Sequence, residues 1–183
     1  SMSSWLGPSG TPASLFAFCP RCGRDLPPRS DPKCLDCPKC GLRYYFNPTV
    51  AAAAFVRRPD GRVLLIRRAR EPAMGKLAPP GGFIDEGETV EEALRREGRE
   101  EGGLSLKRLE FLTSRPNSYR YREVVYPVLD LFFTAEADSE VVSPDLHEVA
   151  SAEWLNPADV SPDDMAFVST RAAFIEYLRR AGH

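Results

Sequence analysis

Between Gly81 and Leu104 the chain reads GGFIDEGETVEEALRREGREEGGL, which sets eight acidic residues in one short stretch. Three of them, Glu97, Glu100 and Glu101, fall almost together. Carboxylates this dense repel: two of them ~6 Å apart cost roughly 3 kcal/mol at an effective dielectric of 20. Arginine offsets part of that, and Arg96 and Arg99 are at hand. A hard divalent cation offsets more, because Mg²⁺ takes oxygen ligands and keeps positions for water and substrate phosphates. Gly81-Gly82 lets the backbone approach such a site and offers a carbonyl. A solvated Glu/Arg helix with i,i+4 pairs is the plain alternative.

A second set of chemistry-bearing residues lies upstream. FCPRCG and DCPKCG are two matching Cys-Pro-x-Cys-Gly units, with fourteen residues between Cys22 and Cys37. Four thiolates in two Cys-x-x-Cys turns, Cys19, Cys22, Cys37 and Cys40, suit tetrahedral Zn²⁺. Disulfides are the alternative, and the missing secretion signal argues against them. Cys34 also stands at Cys-x-x-Cys spacing from Cys37, but only Cys37 and Cys40 repeat the turn pattern, so Cys34 is expected to be a free thiol.

The element that must carry the carboxylates is a helix. Thr89 and Glu92 form a Thr-x-x-Glu capping box, and Gly102-Gly103 mark the end, so the helix spans about 89–101. Val90, Ala93 and Leu94 share its apolar face. At ~100° per residue the stripe continues to Glu97 and Glu101, both within about 20° of the Val90 direction. Two glutamates thus occupy positions where periodicity asks for apolar side chains. Glu100 lies on the flank, one turn from Glu97.

Gly82, Glu88, Arg96-Glu97, Glu100-Glu101, Gly103 and Leu104 together resemble the Nudix box, G-x5-E-x7-R-E-U-x-E-E-x-G-U, where U is bulky and apolar. One position departs: Gly98 stands where the family carries an apolar residue, which removes a core contact and loosens the helix by roughly 1 kcal/mol. The resemblance extends over about residues 48–180. It implies an α/β fold, an α/β/α sandwich with a mixed sheet, that hydrolyses a nucleoside diphosphate linked to another group. Carried over by position, Glu97, Glu100 and Glu101 correspond to ligands of Mg²⁺ (or Mn²⁺), helped by the Gly82 carbonyl. Glu88 corresponds to the residue that fixes Arg96, which orients the carboxylates. The general base stays open among Glu100, Glu101 and Glu148. Some relatives place a further metal-binding glutamate where Glu148 stands.

A zinc ribbon ahead of such a domain resembles the NADH pyrophosphatase branch. That branch carries S-Q-P-W-P-F-P-x-S downstream of the box, whereas this chain has SRPNSYRYREVVYP. Ser114 and Pro116 match and the Trp-Pro-Phe-Pro core is missing. Tyr119 and Tyr121 alternate along an extended segment and would stack on a purine or nicotinamide ring. Arg67, Arg68 and Lys76 are candidates for phosphate contact. The expected substrate is ADP-ribose or another ADP-sugar, with NAD(H) second. A non-catalytic nucleotide- or nucleic-acid-binding module is the reading from another class, and the intact acidic set argues against it.

The frame around these motifs is a chain of 183 residues with net charge −2, long enough for one ordinary core and too weakly charged to draw nucleic acid or membrane. No apolar run approaches the ~20 residues of a membrane span. The first residues lack a signal peptide's basic end and apolar stretch, so a cytoplasmic location is expected. Residues 1–15 read as a loose tail, 16–46 as a zinc ribbon and 48–180 as the hydrolase domain. Strands are expected at 50–56, 62–68, 123–137 (with a break at Pro127) and 149–155, and an amphipathic helix at 163–180. The ribbon is read as structural or dimer-supporting. The expected partners are therefore a nucleotide and a second copy of the chain, without nucleic acid.

Overall fold

The computed structural model describes residues 10–147 and 149–182. Two compact units emerge: Ser1–Thr49 with Ser118–Pro127, and Val50–Asn117 with Val128–His183.

In the first unit, Pro12–Leu15 form one turn of helix, α1, and Cys34–Asp36 (β1) pairs antiparallel with Arg43–Tyr45 (β2). Leu35 is fully buried, and Phe16, Tyr44 and Phe46 form an aromatic cluster with Arg29 over the Phe46 ring. Cross-strand Arg43 and Asp36 pair at 2.6 Å.

The second unit holds most of a mixed seven-stranded sheet, of which Thr49 and the strand residues within 118–127 are counted with the first unit. Its strands are β3 (Thr49–Arg57), β4 (Val63–Arg68), β5 (Leu77–Ala78), β6 (Gly81–Phe83), β7 (Leu106–Tyr121), β8 (Val124–Ala137) and β9 (Val149–Leu155). The path runs β5-β4-β3-β8-β7, with β6 on β3 and β9 on β4. Period-two alternation divides β3 between two cores. Phe55 faces α3 (Val168–Ala181) and packs with Phe132, Phe174 and Tyr177. Ala52, Ala54 and Val56 face α2 (Val90–Gly102) and pack with Leu94, Leu104 and Phe133. Helices on both faces of a mixed sheet are the expected sandwich. None of the described helices is long and apolar enough to cross a membrane.

Three elements differ from the sequence reading. Strand β7, sixteen residues long, replaces a segment expected to be extended only around Tyr119 and Tyr121. Strand β8 runs through Pro127 without a break. Helix α3 begins at Val168 rather than 163: Ser161 caps a short 3-10 turn at Pro162–Asp164, and the backbone then extends so that the Ala166 N–H donates to the Leu77 carbonyl at 2.8 Å. Pairing to β5 thus overrides helical propensity there.

Candidate active site

Strand β6 sets the floor of the site. It pairs with β3 in the register Ala52↔Gly82 and Ala53↔Gly81. A Cβ at Gly81 would overlap Ala53, so only glycine lets these strands pair with the alanines at that spacing. Helix α2 then packs across β6. Thr89 and Glu92 close the capping box reciprocally, and Gly103, at φ 67, ends the helix in the left-handed region. The helix bounds therefore agree with the local signals within a residue.

Glu97 and Glu101 face β6. Glu97 is 9% exposed, an unusual burial for a carboxylate, and its carboxyl group fills the space beside Gly82. The Gly81 N–H donates to Glu101 Oε2 at 2.8 Å. Glu100, on the flank, is exposed. Arg96 joins the acids. Its Nη1 donates to Glu97 Oε1 at 2.7 Å and Glu100 Oε2 at 3.2 Å, while Nε and Nη2 grip Glu88 at 2.9 and 3.0 Å. Nη2 also reaches the Phe83 carbonyl at 3.1 Å. Bidentate pairing of this kind fixes both partners in orientation as well as in energy.

The electrostatics follow from these bonds. Hydrogen bonding from Arg96, then from the Asp85 N–H, holds the Glu88 carboxyl below its ordinary range. Glu88, then Glu97 and Glu100, push the Arg96 guanidinium far above its ordinary value in spite of some burial. Arg96 Nη1 bridges Glu97 and Glu100 and offsets part of their mutual repulsion.

Gly98, the odd position of the motif, has a packing reason. A Cβ there would stand 2.7 Å from Leu106 Cγ, so the side chain missing from α2 is replaced by one from β7. The core contact is supplied, not lost. Sequence reasoning also missed the Phe83 carbonyl and the loop after β8. In that loop the Ser143 N–H donates to Gly102 O at 2.9 Å and the Asp145 N–H to Glu100 O at 3.3 Å. No local signal points to these, because each is a backbone group.

Other candidate residues have partners of their own. Arg68 donates Nε to the Pro72 carbonyl at 2.8 Å and lies over the Phe167 ring, so it braces the loop after β4 and the start of α3. Arg67 and Lys76 likewise bond backbone carbonyls, of Gly75 and Asp163. Tyr119 and Tyr121 sit near the tip of the β7–β8 hairpin, within the first unit, with Arg122 over the Tyr121 ring. Glu148 lies outside the described residues.

The four cysteines do converge. Their sulfurs all lie within 4.8 Å of one another, with Cys19–Cys40 and Cys22–Cys37 each at 3.6 Å. The two turns repeat bond for bond: Gly23 N–H to Cys19 O and Gly41 N–H to Cys37 O, both 2.9 Å, with Gly23 and Gly41 at φ 71 and 72. The Cys40 N–H, aided by that of Lys39, pulls the Cys37 thiol down to about 6 against burial. Cys34 lies outside the group, its Sγ donating to Asp36 at 3.5 Å.

Comparison with known proteins agrees with this geometry. The model of the NUDIX domain family matches residues 47–177. Proteins described as NAD-capped RNA hydrolase NudC are similar: that of Deinococcus radiodurans is 32% identical over 84% of this chain and 54% of its own. That of Chromobacterium violaceum is 34% identical over 76% and 49%. The chain spans about half the length of these curated relatives. The crystal structure of a NUDIX hydrolase from Nitrosomonas europaea superposes with a TM-score of 0.71, at 24% identity, over 91% of this chain and 93% of that one. With a buried glutamate against Gly82, an arginine tying the acids together and helices on both faces of a mixed sheet, this chain belongs to the Nudix hydrolase family.

Proposed function

We propose that the chain is a pyrophosphohydrolase acting on a dinucleotide of the NAD(H) kind. Water adds across the P–O–P bridge, releasing two nucleoside monophosphates. The observation that carries this reading is the burial of Glu97 against Gly82, with Glu101 on the neighbouring Gly81 N–H. Buried carboxylates persist when something compensates their charge.

The donor set fits a hard divalent cation: Glu97, Glu100, Glu101 and the Gly82 carbonyl all offer oxygen atoms, and the absent Cβ at Gly82 makes the room that the Glu97 carboxylate occupies. Such a cation, Mg²⁺ or Mn²⁺, would neutralise the diphosphate and the charge developing on its oxygens. The chain's own residues do the rest. Glu88 holds Arg96, and Arg96 orients Glu97 and Glu100. One carboxylate among Glu100, Glu101 and Glu148 takes the proton from the attacking water.

The order of substrates drawn from sequence is reversed. ADP-ribose stood first there, yet the relatives named above are described as hydrolases of NAD-capped RNA, which favours NAD(H) and admits an NAD cap on an RNA strand. ADP-sugars remain the second reading, favoured by the missing Trp-Pro-Phe-Pro core after Ser114. The test is product analysis with NADH, NAD⁺ and ADP-ribose in Mg²⁺. Faster release of nicotinamide mononucleotide from NAD(H) than of ribose phosphate from ADP-ribose supports the first reading. The opposite order sinks it.

We further propose a zinc ribbon at 16–46 ahead of a hydrolase domain at 48–180. Four converging thiols in paired glycine-bounded turns support Zn²⁺. Metal analysis of the purified protein should give one equivalent of zinc, and less than about half an equivalent contradicts it.

A further inference from the structure

The loop between β4 and β5 closes on itself. The Gly75 N–H donates to Arg68 O at 2.9 Å, and the Arg68 N–H to Lys76 O at 3.0 Å. Arg67 and Arg68 brace its carbonyls from within, at Gly75 and Pro72. Arg70, the third arginine of that run, reaches out of the loop instead. Its Nη2 donates to the carbonyl of His147, 3.0 Å away, between β8 and β9. On the reading of the site as a pyrophosphohydrolase, we infer that Arg70 is a positioning residue, which sets the placement of Glu148 by holding the residue before it.

The β8–β9 loop needs such a hold. It is fixed along α2 at two points, where the Ser143 N–H donates to Gly102 O at 2.9 Å and the Asp145 N–H to Glu100 O at 3.3 Å. Ser143 also lies so close to Gly103 that a Cβ there would stand 2.8 Å from the Ser143 carbonyl oxygen. Beyond Asp145 packing gives little, because Leu146 and His147 are both exposed. The sheet gives no ladder there either. A bulge interrupts the β4–β9 pairing, with Arg67 opposite Ser151 and Arg68 opposite Val149, and the pairing ends at that point. Hydrogen bonds must therefore hold the chain.

Those bonds flank Glu148 in sequence. On one side the His147 N–H donates to Asp145 Oδ1 at 2.9 Å, and the His147 carbonyl accepts from Arg70. On the other the Val149 N–H donates to Asp145 O at 3.1 Å, and the Val149 side chain is buried. The bonds to Asp145 lie within this stretch of chain, whereas the Arg70 bond ties it to a different loop. A guanidinium on a carbonyl makes a charge-assisted bond, roughly twice as strong as a neutral one. Without it, the turn around Asp145 is left to pivot on its two contacts with α2. A general base works only within about 2.6–3.2 Å of the group whose proton it takes, so a small swing of the loop is enough to disable one.

The test is a double-mutant cycle on steady-state turnover of NADH in saturating Mg²⁺. Arg70→Met keeps the length of the stem and removes the donors, and Glu148→Gln removes the carboxylate. Arg70→Met should lower kcat about tenfold and leave KM within about twofold. In the Glu148→Gln background the same change should cost less than about twofold, because the carboxylate that Arg70 places is gone. A full tenfold loss in that background, or no loss in the parent, overturns the inference. Hydrogen exchange gives a readout without substrate. The amides of 145–149 should exchange roughly fivefold faster in Arg70→Met, with those of α2 and β3 unchanged. Equal exchange, or acceleration across the whole domain, overturns the inference as well. A parent protein that turns over neither NADH nor ADP-ribose would sink the functional reading, and the exchange comparison then decides by itself whether Arg70 holds the loop.

Discussion

The carboxyl carbon of Glu97 lies 2.8 Å from where a Cβ of Gly82 would stand. One residue is on the helix and the other on the short strand beneath it, and neither can change size without moving the other. Gly82→Ala should therefore displace Glu97 by about an ångström. A shift of that size costs on the order of 100-fold in turnover when it moves a reacting or orienting group. Steady-state rates on NADH in saturating Mg²⁺, beside a thermal melt, check this. Turnover within a few fold of the parent would detach Glu97 from the chemistry.

Gly98 predicts the opposite balance. Alanine normally adds about 1 kcal/mol to a helix interior. Here its Cβ would stand 2.7 Å from Leu106 Cγ and 2.9 Å from Cδ1. Overpacking of this kind costs about 1–3 kcal/mol. Gly98→Ala should thus lower stability by up to about 2 kcal/mol in urea unfolding, and trimming the partner in Gly98→Ala/Leu106→Val should recover part of the loss.

The Glu88–Arg96 pair carries a pH signature. Arg96, then the Asp85 N–H, holds Glu88 below its ordinary value of 4.5. A carboxyl whose folded value is depressed contributes stability that is fully present above the unfolded value and is lost as pH falls through the folded one. Glu88→Gln should accordingly lower the melting temperature at pH 7, with the deficit closing as pH drops below 4.5. It should also slow turnover about tenfold, because Arg96 loses its bidentate anchor. A pH-independent deficit would mean that packing, not charge, is what Glu88 supplies.

Asp130 behaves in reverse. Burial pushes its carboxyl up, against hydrogen bonds from Ser169, at 2.5 Å, and Asn117. Its contribution to stability is therefore complete below the ordinary value of 3.8 and is lost as pH rises through the higher folded value. Asp130→Asn keeps an acceptor for Ser169 and removes the charge. It should raise the melting temperature at pH 7 by about 2 °C or more, with the gain vanishing at low pH. A lower melting temperature at pH 7 would show that the ionised form is the better partner for the start of α3.

The sequence by itself determined the features that local chemistry fixes. Thr89, Glu92 and Gly103 bound α2 because capping is settled within one turn of chain. Helical period then aims Glu97 and Glu101 at the same side as Val90, and the cysteine turns repeat because each is closed by its own glycine. Only the tertiary structure decided the rest. The residues of β7 include Pro116, Asn117 and many charges, and they become a strand because β8 supplies a ladder beside them. Gly98 looks like a defect until Leu106, from that same strand, fills its place. Arg68, plausible for phosphate by charge alone, is engaged by Pro72 and Phe167. A side chain's partners across the fold depend on packing between distant segments, and that information is not carried by spacing along the chain.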